Sequence, residues 1–196
     1  GGTVKCWGLI DVDFASGFED AIGQMHTVPV LRAGLTDVTG LLAGSFLNSC
    51  AVRANKTVVC WGVNSEGSLG NGQGSQELQP AGPVEGISGA KDLSVGRQHI
   101  CVIRSDDTIA CWGSNSRGQL GVSPNDLSNA WSPRVVATGG HFNKVSAGHD
   151  HTCAVKSDGT VWCWGDSYYG KLANGLSDNT YGPPSEVAGL SDAVDV

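Results

Sequence analysis

Residues 153–165 read Cys153-Ala154-Val155-Lys156-Ser157-Asp158-Gly159-Thr160-Val161-Trp162-Cys163-Trp164-Gly165. Two runs rich in Val, Thr and aromatic residues flank Ser157-Asp158-Gly159, a three-residue hairpin connection with glycine at the left-handed position. Such a loop makes Lys156 and Thr160 the hydrogen-bonded closing pair. Alternation along the ladder then sets Cys153 against Cys163 at a non-hydrogen-bonded site. Partners there lie about 4.5–5.5 Å apart at Cα, within the reach of a disulfide.

The same ten-residue separation joins Cys50 to Cys60 and Cys101 to Cys111. Their turns are Ala54-Asn55-Lys56 and Ser105-Asp106-Asp107, and Lys56 is the least comfortable residue at a left-handed position. Three facing pairs argue for disulfides and an oxidising compartment. Two other readings stay open: buried reduced thiols packing as small hydrophobes, and zinc, which would need two further ligands per hairpin. Cys6 is the odd cysteine, and its hairpin partner would lie four residues before Gly1.

Cys-Trp-Gly occurs at Cys6, Cys60, Cys111 and Cys163, spaced by 54, 51 and 52 residues. A period of about 50 residues is the mark of a repeat architecture whose units bury their apolar faces against one another. Each unit opens on a short strand such as Asp92-Leu93-Ser94-Val95 or Lys144-Val145-Ser146-Ala147. It turns at Gly44, Gly96 or Gly148, and continues into the cysteine hairpin. No stretch has 3.6-residue periodicity, so the chain reads as all-β. Both faces of each third strand are apolar, as a sheet sandwiched between two others requires, and radially stacked propeller blades supply that setting.

Composition bounds the function. The chain has 196 residues and a formal net charge of −7, from 12 basic and 19 acidic residues. An acidic chain lacks the basic footprint of nucleic-acid binders. No apolar run is long enough for a membrane-spanning helix. Gly1-Gly2-Thr3 reads as the interior of a longer protein, and the last residues, Gly189 to Val196, resemble the opening of a unit at Gly34-Leu35-Thr36-Asp37-Val38. The expected organisation is a partial blade over 1–33, repeats over 34–85, 86–138 and 139–188, and the start of another blade over 189–196.

Gly62-Val63-Asn64-Ser65-Glu66-Gly67-Ser68-Leu69-Gly70 and Gly113-Ser114-Asn115-Ser116-Arg117-Gly118-Gln119-Leu120-Gly121 share the pattern G-x-N-x-x-G-x-L-G. Together with Ser146-Ala147-Gly148-His149-Asp150-His151-Thr152-Cys153 they resemble repeats of the regulator-of-chromosome-condensation family. The resemblance implies a seven-bladed β-propeller of four-stranded blades, of which three and a half to four are present. The cysteine-bearing variant resembles repeats of secreted bacterial proteins. A half ring would expose two large sheet faces and call for further blades or a second copy. Gly165-Asp166-Ser167-Tyr168-Tyr169-Gly170-Lys171-Leu172-Ala173 departs from the pattern, losing its Asn and last Gly.

Family members include an exchange factor for a small GTPase, a plant ultraviolet-B photoreceptor and a bacterial inhibitor of β-lactamases. Charge and the cysteine pairs argue against the exchange factor. The photoreceptor reading leans on Trp clusters, but Trp7, Trp61, Trp112 and Trp164 hold a repeated structural slot, where packing is their expected role. His151 recurs in phase as His99, which points to a repeated backbone-bonding role rather than to a catalytic base. Asp11, Asp13, Glu19 and Asp20 form one acidic cluster, a weak calcium candidate whose glycine, Gly17, is one position late for an EF-hand. Phe14, Phe18, Trp131, Tyr168, Tyr169 and Tyr181 lie in connections outside the core slots. Tyr and Trp anchor protein interfaces, although these rings could equally pack between blades. On an extended segment Tyr168 and Tyr169 cannot both face inward, which makes them the foremost binding candidates.

The sequence thus predicts an extracellular or envelope-associated propeller without catalytic machinery or cofactor, binding another protein through its inter-blade loops. Self-assembly by half-rings, and a carbohydrate- or calcium-dependent lectin, are the alternatives.

Overall fold

The computed structural model describes residues 2–11, 24–31, 35–42, 48–175, 177–178 and 180–196. Three four-stranded antiparallel sheets follow one another along the chain. The first contains β3 (Val38–Leu42), β4 (Asn48–Arg53), β5 (Val58–Asn64) and β6 (Ser75–Pro83). The second contains β7 (Asp92–Val95), β8 (His99–Ile103), β9 (Ile109–Ser114) and β10 (Asn129–Val135). The third contains β11 (Phe142–Ala147), β12 (His151–Lys156), β13 (Val161–Asp166) and β14 (Tyr181–Glu186). Each is a simple meander, with strands neighbouring in chain order. A two-stranded sheet, β1 (Lys5–Asp11) with β2 (Gln24–Leu31), precedes them, β1 carrying the Cys-Trp-Gly of a third strand.

The hairpin register is the one that alternation dictates: Cys153 faces Cys163, Ala154 faces Trp162 and Val155 faces Val161. Lys156 N–H donates to Thr160 at 2.9 Å, and Gly159 turns left-handed at φ 85°. Lys56 and Asp107 take the same conformation at φ 63° and 64° without glycine. In each turn an Asx carboxamide or carboxylate steadies the loop. The Oδ1 atoms of Asn55, Asp106 and Asp158 each accept from the backbone N–H and hydroxyl of the Thr two residues on. Disulfides close all three hairpins, Cys50–Cys60, Cys101–Cys111 and Cys153–Cys163, with Cα atoms 4.1 Å apart. Cys6 is a free thiol.

The blade interior is apolar on both faces because it lies between two neighbours. Every residue of β5, β8 and β9 is buried. The outer strands are managed differently. Each is bulged against its partner at Pro80, Pro133, or the pair Pro183 and Pro184, so it offers a broken template for further pairing.

Side chains bridge consecutive blades at equivalent positions. The indole N–H of Trp112 donates to the Ser68 carbonyl at 2.9 Å, and that of Trp164 to the Gln119 carbonyl at 2.8 Å. Near the inner strands, Asp92 and Ser94 of β7 accept the backbone N–H groups of Val145 and Ala147 on β11. His99 corrects the sequence reading: its Nε2 meets the Thr152 hydroxyl of the next blade at 2.9 Å, a side-chain partner rather than backbone. Thr152 donates its own proton to the Gln119 carbonyl at 3.0 Å, so Nε2 of His99 carries the hydrogen and Nδ1 is bare. Complete burial lowers the His99 pKa from 6.5 to about 4.

Two predictions follow from this packing. Replacing Cys101 and Cys111 together by Ala should lower unfolding free energy by about 3 kcal/mol, the closure entropy of a ten-residue loop, as read by denaturant titration. His99 is neutral in the fold and titrates higher in the unfolded chain, so its contribution is complete above pH 6.5 and fades as pH falls toward 4. Stability should therefore drop by about 2 kcal/mol between about pH 7 and pH 5, and His99→Gln should remove most of that slope. An unchanged slope would mean His99 is not the titrating group.

Candidate functional site

In the first two repeats the motif Asn organises the loop after the third strand. Asn64 Oδ1 accepts Leu69 N–H at 2.9 Å while its Nδ2 reaches the Gln73 carbonyl at 2.7 Å. Asn115 does the same with Leu120 N–H and the Val122 and Leu127 carbonyls. Glycines follow where the loop bends left-handed, Gly67 at φ 77° and Gly118 at φ 75°.

The third loop reaches a similar path with different chemistry. Ser167 stands where Asn is expected and donates to the Asp178 carbonyl at 2.7 Å, also lying within hydrogen-bond range of Thr180. Asp166 is buried against the Lys171 ammonium and accepts from Tyr168 N–H. Burial acts most strongly and would raise the Asp166 pKa, but the Lys171 ammonium, the Tyr168 N–H and the Arg117 charge together outweigh it and hold the carboxyl below its ordinary value. His151 is shifted down, first by burial and then by the same ammonium.

Tyr168–Gly170 forms a single 3-10 turn rather than the extended segment the sequence suggested. Tyr169 occupies φ 62°, ψ 20°, a left-handed conformation costing a non-glycine residue about 1–2 kcal/mol. Its side chain is 82% exposed, and its ring lies 4.0 Å from that of Tyr168. Tyr169 thus combines a strained backbone with a ring held in water, where burial of the ring cannot offset the strain.

Tyr181 opens the fourth strand of the third blade opposite Asp166, and Trp131 lies in the bulge of β10 between Ala130 and Arg134. A Cβ placed on Gly67 would lie 2.8 Å from the Trp131 ring, and one on Gly118 3.0 Å from Tyr181. Each ring therefore packs across the joint onto the preceding blade's loop. Both nevertheless remain about two-fifths exposed, at 40% and 39%. Sequence reasoning weighed interface against packing as alternatives, and the geometry allows both in one side chain.

All four aromatics belong to one rim. The loops after β5, β9 and β13 leave the same end of their blades, and Trp131, Tyr181 and the Tyr168–Tyr169 turn sit on them in succession. His149 and Asp150, 2.5 Å apart, border this rim: Asp166 N–H donates to the Asp150 carbonyl. No group of three His, Cys, Asp or Glu among the described residues is placed to hold a metal ion. Asp13, Glu19, Asp20, Phe14 and Phe18 lie outside the described residues, as does the side chain of Asp11.

Serial four-stranded blades joined by side-chain bonds define a repeat β-propeller segment. Residues 90–119 and 142–171 match one form of the regulator of chromosome condensation (RCC1) repeat, and residues 106–155 match another. The chain is 33% identical to the ultraviolet-B receptor UVR8 of Arabidopsis thaliana over 91% of its own length and 40% of the receptor's. It is 32% identical to the human E3 ubiquitin-protein ligase HERC2 over 96% of its length, which is 4% of HERC2. Among solved structures, yeast RCC1 (Prp20) bound to Kap60 superposes with a TM-score of 0.76 at 17% identity, covering 95% of this chain and 44% of that one. These matches support the RCC1-like repeat family. The chain spans well under half the length of these relatives.

Replacing Tyr169 by Gly should leave the fold intact and raise its stability by about 1 kcal/mol, since glycine adopts the left-handed conformation freely. A lower unfolding midpoint would show that the exposed ring has a structural role.

Proposed function

We propose that this chain is a non-enzymatic propeller scaffold, working outside the cell or in its envelope, that binds another protein through the aromatic rim. The observation that carries the reading is Tyr169, strained and 82% exposed, at the tip of the loop that departs most from the repeat. Tyr168, Trp131 and Tyr181 extend the surface along the same edge with half-exposed rings. Rigid aromatic side chains on a stiff scaffold bury much area for little loss of conformational freedom, which is why they dominate binding hot spots.

Two of the superposed structures support the protein-binding reading through their own descriptions, one as yeast RCC1 bound to Kap60, the other for its binding to Gsp1p and histones. The likeness to both is one of fold. An acidic chain is poorly suited to phosphate backbones, and three disulfides accord with an oxidising environment. No helix among the described residues is long and apolar enough to cross a membrane.

A second reading, in which blades of another copy or of a longer chain cover the third sheet, draws on one contrast. Cys50 and Cys101 are fully buried, whereas their equivalent Cys153 and the neighbouring Trp162 are only half-buried. Solution mass distinguishes the two, because a folded monomer of 20.2 kDa is incompatible with self-assembly.

For the rim, a partner captured from the source's extracellular fraction should lose about thirtyfold in affinity when Tyr168 and Tyr169 are both replaced by Ala, a hot-spot loss of about 2 kcal/mol. Ser157→Glu, on the opposite end of the blade, should leave affinity unchanged. Equal affinity for the double variant would remove this turn from the binding surface.

A further inference from the structure

The hairpin tips carry a second feature that the rim does not use. Two of the three turns have Asp at their central position, Asp106 and Asp158, and the first has Asn55 followed by Lys56 and Thr57. Asn-x-Thr is the acceptor pattern for N-linked glycosylation when the middle residue is not proline. Asn55 and Lys56 are exposed. The Asn55 Oδ1 is engaged by Thr57, accepting its backbone N–H at 3.1 Å and its hydroxyl at 2.7 Å. No hydrogen bond to Nδ2 occurs among the described residues, and the residue that carries it is exposed to solvent.

We infer that Asn55 is an N-glycosylation site, modified by an oligosaccharide as the chain enters the oxidising compartment that its disulfides require. The inference rests on the extracytoplasmic reading above. Chemically, Asn55 Nδ2 forms a bond to C1 of the sugar of a lipid-pyrophosphate-linked oligosaccharide. The C1–O bond to the pyrophosphate breaks, the lipid pyrophosphate leaves with the electron pair, and the amide nitrogen loses one proton.

The fold makes the modification compatible with the rest of the molecule in two ways. The turn tolerates it, because the Oδ1 that holds the turn is not the atom that is glycosylated. Location separates it from the rim: β5 (Val58–Asn64) runs from this turn to the loop of Gly67, so the glycan sits about 20 Å away at the other end of the blade. A bulky, hydrated group there leaves the aromatic surface open and covers the face that is not used for binding.

The repeat supplies its own control. Asp106 and Asp158 show that a carboxylate makes the same two bonds to Thr, so Asn55→Asp should keep the turn and abolish the modification. Peptide mapping by mass spectrometry, on the non-reduced protein from its source, is the test. The peptide with Asn55 should carry a hexosamine-containing mass that peptide N-glycosidase removes, leaving aspartate at position 55. Expressed through a eukaryotic secretory pathway, the parent and Thr57→Ser should be glycosylated. Asn55→Asp and Thr57→Val should not, with Asn55→Asp unfolding at the parent's temperature. Unmodified Asn55 in a protein whose three disulfides have formed overturns the glycan and leaves the compartment reading standing. Unmodified Asn55 beside free thiols overturns both.

Discussion

The structure depends on a joint that no single blade can make. The Gln119 carbonyl, at the end of one blade's loop, receives the Trp164 indole N–H and the Thr152 hydroxyl of the next. Thr152 in turn accepts from His99, back on the blade that carries Gln119. Buried polar groups left alone would each cost about 1–3 kcal/mol, and at this joint the Gln119 carbonyl, the Thr152 hydroxyl, the Trp164 indole and His99 Nε2 are all tied to a neighbour in a fixed orientation. Apolar packing between sheets is tolerant of sliding. Directed bonds from Trp, Thr and His are not, and they fix the angle at which one wedge meets the next.

Within a blade the division of labour is different. The third strand is almost wholly buried in every blade and is clipped to the second by a disulfide, so the centre of the sheet is its best-anchored part. The outer strand is bulged at proline and pairs incompletely. That gradient matters for the rim, because loops leaving a rigid third strand return into a looser fourth strand. Trp131 and Tyr181, on those fourth strands, close over glycines of the adjoining loop. Their rings pack against that loop while leaving about two-fifths of their surface in water.

Much of this was legible in the chain because hairpin chemistry is local. The three-residue turn, its left-handed third position and the facing cysteines follow from a handful of residues, and the coordinates agree down to Lys56 taking φ 63°. The joints were not legible. Nothing near His99 in sequence announces Thr152, which lies 53 residues on, and a repeated histidine is as consistent with a backbone partner as with a hydroxyl. The 3-10 turn at Tyr168–Gly170 was hidden for a related reason. Its shape is set by Ser167 reaching Asp178 and Thr180, and by Lys171 folding onto Asp166, none of which follows the pattern of the earlier loops. The aromatic rim needed both kinds of information, since only the stacking of blades shows that Trp131, Tyr181 and the two tyrosines share one end.

The third loop shows how a repeat can depart from its own pattern and keep its path. In the first two loops a buried Asn makes three hydrogen bonds within the loop, and the tip carries the polar pairs Ser65-Glu66 and Ser116-Arg117. With Ser167 in that place the loop is supported instead from residues 178 and 180 and from an ion pair at its base, and its tip carries two tyrosines. Ala173, at φ 48° where the earlier loops have glycine, and Tyr169, at φ 62°, show that the base is strong enough to hold two unfavourable conformations. A loop that must bear strain of this kind to keep a tyrosine in water is one whose shape serves the surface and not the core. The two ends of the blade differ: at the hairpin tips the Asx–Thr bonds recur in all three repeats, whether the Asx is Asn55, Asp106 or Asp158.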